Sequence, residues 1–112
     1  MQYALVIFAD PDFADDLSEA EHAAVQEQYS ALTDDSRVLA GFQLQPAETA
    51  TTVRVSGGRT LMTDGPFADT KEVLGGICVI EAANLDEATE LAARIPAARL
   101  GGAVEVRPVV PR

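Results

Sequence analysis

At 112 residues, 47% of them hydrophobic, the chain is long enough for one core without metals or cross-links and too short for two. Its eight Lys and Arg stand against eighteen Asp and Glu, and the resulting charge of −10 repels phosphate backbones, which argues against direct nucleic-acid binding. The single cysteine, Cys78, allows no internal disulfide, and no apolar run approaches the ~20 residues needed to span a bilayer.

Residues 2–9 read as a strand with Tyr3, Leu5 and Ile7 on one side and Ala4, Val6 and Phe8 on the other. Apolar residues on both sides predict burial of both faces. No basic region precedes this run and Asp10 ends it, so it is expected to be a strand of a cytoplasmic protein and not a signal peptide. The acidic stretch 10–16 lacks an ordered spacing of cation ligands and reads as a solvated loop. Ser18 and Glu21 then have the spacing of a capping box, which predicts a helix running to about Leu32. His22, Val25, Tyr29 and Leu32 share one face at helical spacing, which places His22 on the inward side.

Thr33-Asp34-Asp35-Ser36 is a turn, and 38–44 reads as the second strand. Segments 51–56 and 59–63 flank Gly57-Gly58, a dipeptide suited to a tight hairpin. Val53 and Val55 alternate with Thr52 and Arg54, so one face of this ribbon is expected to meet water. Asp64-Gly65-Pro66-Phe67 follows as a turn, with Asp64 capping it, Gly65 supplying a positive φ and Phe67 plugging the core. Residues 71–82 give a second strand apolar on both sides, broken by Gly75-Gly76 as a bulge or a close approach of backbones. Asn84 and Glu87 repeat the capping pattern ahead of a helix whose buried stripe is Leu85, Ala88, Leu91, Ala92 and Ile95, limited by Pro96. A last strand spans about 103–109.

The order β-α-β-(hairpin)-β-α-β, with the two most apolar strands as the central pair, predicts one α+β domain over 1–112. It is the ferredoxin-like arrangement, an antiparallel sheet with both helices on one face. The other face is apolar too, which predicts a homodimer formed by sheet-to-sheet packing.

The residue types best suited to acid–base chemistry are His22, Asp64 and Glu72. Tyr3, Phe67, Lys71 and Arg107 are the candidates for holding a ligand, the arginine because a guanidinium binds a carboxylate or phosphate bidentately. Each also has a purely structural account: core packing for Tyr3 and Phe67, surface or cross-subunit pairing for Lys71, Glu72 and Arg107. The only histidine is His22 and no Cys/His cluster is present, so no metal is predicted. Neither glycine pair has the form of a phosphate loop, and no cofactor motif is visible.

Asp64-Gly65-Pro66-Phe67, followed by Thr70-Lys71-Glu72 and Gly75-Gly76, resembles the signature of YCII-related proteins of the DGPF type. Leu44-Gln45-Pro46, Thr52-Val53-Arg54-Val55, Asp86-Glu87-Ala88 and Glu105-Val106-Arg107-Pro108 extend the resemblance over nearly the whole chain. It implies a dimeric α/β-barrel, a variant of the ferredoxin-like fold, of generally unestablished activity. It also implies, by analogy only, a link to sigma factors of the extracytoplasmic-function class. The founding type is proposed to use a His–Asp dyad; here His22 matches the histidine, but Ile95 stands before Pro96 where the aspartate is expected. Three functions follow as expectations: a small-molecule-binding or accessory regulatory homodimer, a cofactor-independent enzyme using His22, Asp64 or Glu72 as base, or an interaction partner of an extracytoplasmic-function sigma factor.

Overall fold

The computed structural model describes residues 1–112, the side chain of Ala14 excepted. In chain order the elements are β1 (Gln2–Ala9), α1 (Pro11–Asp15), α2 (Glu19–Thr33), β2 (Val38–Gln43), β3 (Thr51–Ser56), β4 (Arg59–Asp64), β5 (Val73–Glu81), α3 (Leu85–Ala93) and β6 (Ala103–Pro108), with single 3-10 turns at Ala47–Thr49 and Pro96–Ala98. Four strands form an antiparallel sheet in the order β2-β5-β1-β6, so the two strands apolar on both sides are the central pair as expected. This is the ferredoxin-like topology.

Side-chain parity decides what each sheet face does. Tyr3, Leu5 and Ile80 point to the helical layer, where Leu32 of α2 and Ala88, Leu91 and Ala92 of α3 close the core. Register puts Val6 opposite Ile77 and Ala4 opposite Val79 on the reverse face, with Phe42 beside Ile77. Helix packing is confined to the first face, and Phe42 is 67% exposed on the second.

Both expected caps form. The Glu21 amide donates to Ser18 Oγ and the Ser18 amide to Glu21 Oε1, each at 3.1 Å. At α3 the Glu87 amide donates to Asn84 Oδ1, while the Glu87 carboxylate takes its bond from Ala83 N, one residue earlier than a strict capping box requires. The turn after α2 is stapled by Arg37. Its Nε and Nη2 meet the two oxygens of Asp35 at 3.0 and 2.8 Å, and Nη1 reaches Glu87 of α3 at 3.4 Å.

Several expectations are corrected, among them the burial of Leu85, which is 53% exposed at the first position of α3. Residues 11–15 of the acidic stretch form a short helix, because Pro11 is suited to the first helical position and Asp10 Oδ1 accepts from Asp12 N at 3.0 Å. His22 is exposed: α2 fully buries only Leu32, so the helix lies against the sheet near its C-terminal end and its first turns stand in solvent. The β3–β4 ribbon forms a separate two-stranded sheet with both faces exposed, not one. Finally, Phe67 does not plug the core; it is 75% exposed, with the Arg54 guanidinium 5.5 Å above its ring.

The turn into this loop is held by backbone. Gly65 N donates to Ala50 O and Thr52 Oγ1 donates to Gly65 O, both at 2.7 Å, bonds in which the Asp64 side chain takes no part. Gly65 does have the positive φ expected of it, +98°. At Gly75-Gly76 both anticipated features occur together. The pairing slips by one residue between Ile7 and Phe8, and a Cβ on Gly76 would sit 2.9 Å from the Phe42 carbonyl oxygen.

Candidate ligand site: an apolar cavity between sheet and helices

The missing side chains on the helix-facing side of the sheet leave a hollow. Gly41 and Gly76 place none there, and α2 buries a side chain only at Leu32, near its C-terminal end, its earlier turns standing off in solvent. The result is a cavity of about 610 Å³. Leu5, Ile7, Leu32, Val38, Leu91 and Ile95 form its apolar walls. Its rim is the exposed run Phe42-Gln43-Leu44-Gln45-Pro46 with Leu74 opposite.

Few polar groups reach the interior. Tyr29 and Cys78 both line it, and burial raises the pKa of each, opposed at Tyr29 by a backbone hydrogen bond at Ala97 and by the charge of Arg99. Both are therefore neutral near pH 7, so the phenol and the thiol offer weak hydrogen bonds and no charge. Gln43, Gln45, Asp15 and Glu48 add polar atoms to the lining. Such a chamber suits an apolar body with a polar end.

The residues singled out from sequence lie elsewhere. His22 is on the exposed surface of α2 and Asp64 is exposed at the end of β4, and neither lines a cavity described here. Glu72 lines a second, smaller hollow of about 290 Å³ on the reverse face of the sheet, together with Phe8, Thr70 and Glu105. The three acid–base candidates are thus not brought together. Tyr3 is 3% exposed inside the core, its hydroxyl 3.7 Å from Met1 Sδ. Arg107 donates from Nε to Glu105 Oε1 at 3.0 Å, and Phe67 lies beneath Arg54.

Lys71 has a structural partner that sequence reading passed over. Its Nζ lies 3.5 Å from Oδ2 of Asp10, the sole charged side chain buried among the described residues. The available signal was the dipeptide Asp10-Pro11, an acidic cap ahead of a proline suited to begin a helix.

Sheet order, helix placement and an apolar chamber between the layers define a ferredoxin-like α+β protein. Within that class, the chain belongs to the YCII-related family: the family model for the YCII-related domain matches residues 1–112. A relative from Rhizobium meliloti (strain 1021), the uncharacterized protein R00369, is 35% identical over 114 residues, covering 97% of this chain and 92% of the relative. Among the described residues, no helix is long and apolar enough to cross a membrane.

Proposed function

We propose that this YCII-related protein is a homodimer that binds a small, largely apolar molecule in the chamber between sheet and α2, in an accessory or regulatory role. The carrying observation is the chamber itself: about 610 Å³ lies within the range of roughly 300–1,000 Å³ usual for ligand pockets. Its walls are aliphatic, and polar groups are few and mostly near the rim, a division that favours an apolar ligand oriented by one polar end. Support for the homodimer comes from the uncovered sheet face carrying Val6, Phe42, Ile77 and Val79. An acid–base enzyme is the weaker reading, because His22, Asp64 and Glu72 do not share a hollow. Partnership with a sigma factor rests on family analogy alone.

The test uses the neutral fluorophore N-phenyl-1-naphthylamine as an apolar probe. Its emission is expected to rise on binding the wild type and to stay near baseline with Gly41→Leu. A Cβ at position 41 would meet only Cys78 Sγ, at 4.0 Å, so the added side chain grows into the chamber without displacing backbone. Equal enhancement by both proteins, with unchanged circular dichroism, would count against the chamber as the site.

A further inference from the structure

The β3–β4 ribbon stands away from the rest of the molecule with both faces in solvent. We propose that it is a dimerisation arm, gripping a second copy of this chain through Val53, Val55 and Met62. The proposal rests on the homodimer reading above and adds to it a gripping element distinct from the sheet face.

Register sorts the ribbon's side chains into two faces. Val53 pairs with Met62 and Val55 with Thr60, so Val53, Val55 and Met62 share one face; they are 58%, 70% and 73% exposed. Arg54 pairs with Leu61 and Ser56 with Arg59 on the other. The ribbon is amphipathic with nothing of its own chain against the apolar side. A lone two-stranded hairpin is marginal in water and needs a third layer or strand for stability. This one has neither within its own chain.

Surface area indicates how much is left uncovered. The chain exposes 7864 Å², whereas a compact monomer of its 11.8 kDa mass exposes about 5,900 Å². Its radius of gyration is 15.8 Å against about 13 Å for a compact domain of this length. The excess of roughly 2,000 Å² is more than twice the ~800 Å² per partner that a standard interface buries. The molecule is also a plate, 45 × 42 × 18 Å, whose flat faces invite stacking.

Charge selects a second copy as the occupant. Two bodies at −10 repel each other over most of their surfaces. The ribbon is the exception: residues 51–64 carry Arg54 and Arg59 against Asp64 alone, a net positive charge, while the other seventeen acids and six bases lie outside them. An arm reaching from one copy is therefore attracted to the acidic body of the next.

Sedimentation velocity over a micromolar dilution series tests the arm with full-length chains. Val55→Lys combined with Met62→Lys is expected to weaken dimerisation by at least about thirtyfold, the loss of a central apolar contact. Arg59→Glu, which keeps every apolar side chain, is expected to weaken it several-fold. Both should retain wild-type circular dichroism and N-phenyl-1-naphthylamine binding, because the arm lies outside the core and outside the chamber. A wild-type dimer with either result absent, the affinity unchanged in a folded variant, would overturn the arm and leave the sheet-face dimer standing. A wild type that is monomeric throughout would overturn both.

Discussion

The ammonium of Lys71 lies 3.5 Å from Oδ2 of Asp10, joining the segment that leads into β5 to the end of β1. The other carboxylate oxygen of Asp10 accepts from Asp12 N at the start of α1, so one buried aspartate holds two neighbours at once. This arrangement gives Lys71 a structural duty. The lysine is 68% exposed at its side chain, so its share is small. Asp10→Ala is expected to cost about 1–2 kcal/mol, because the cap on the Asp12 amide is lost together with the pairing to Lys71. Asp10→Asn retains the cap and Lys71→Met loses only the exposed pairing, so each is expected to cost under about 1 kcal/mol. Urea unfolding of the three variants measures the order.

Two glycines of the sheet are expected to respond oppositely to alanine. At Gly76 the new Cβ meets the Phe42 carbonyl oxygen at 2.9 Å, and backbone cannot step aside without disturbing the β2–β5 pairing. Gly76→Ala is therefore expected to destabilise by about 1–3 kcal/mol. At Gly41 nothing lies closer than Cys78 Sγ at 4.0 Å, and the backbone has no positive φ. Gly41→Ala is expected to stabilise by about 0.5–1 kcal/mol, through reduced entropy of the unfolded chain. Thermal unfolding shifts of opposite sign would confirm the pair.

The Asp35–Arg37 staple predicts an acid-side dependence of stability. Hydrogen bonds from the Arg37 side chain, and then from its backbone amide, hold the Asp35 carboxyl well below its ordinary value of 3.8. The unfolded chain takes up the proton first as pH falls, so this contribution is complete above the ordinary value and is lost towards the lower folded one. The gap in urea midpoint between wild type and Asp35→Asn should be constant from about pH 5 to 7 and shrink below about pH 4. A gap independent of pH down to about 2 would contradict the assignment.

Burial raises the Cys78 thiol, which also lines the chamber. Its alkylation by iodoacetamide at pH 8 is expected to be at least about tenfold slower than that of glutathione, since the thiolate is the reactive form. Saturating N-phenyl-1-naphthylamine should slow it further. Mass spectrometry of timed samples gives both rates.

The fold was legible wherever local chemistry and global packing agree. Runs 2–9 and 71–82 are apolar on both sides and became the central strands, and Ser18–Glu21 and Asn84–Glu87 marked helix starts that the structure retains. His22 shows the limit. Its spacing from Val25, Tyr29 and Leu32 gives a shared helix face, but how much of that face meets the sheet depends on where α2 lies, and its first turns lie in solvent. Phe67 failed in the same way: its size predicted burial, and its place beneath Arg54 outside the core left it exposed.

Sequence alone determined the order of the strands and of the two longer helices, the central strand pair, the caps and the family, because each depends on residue type and short-range spacing. It also marked 64–72 as the segment that carries the family signature. Tertiary structure decided what that segment and its neighbours do. It paired Lys71 with Asp10, turned Asp64 and His22 to solvent, and opened the chamber where Gly41 and Gly76 lack side chains beneath an α2 that buries only Leu32. Distances between residues far apart in the chain follow from packing, and no periodicity of 2 or 3.6 residues encodes them.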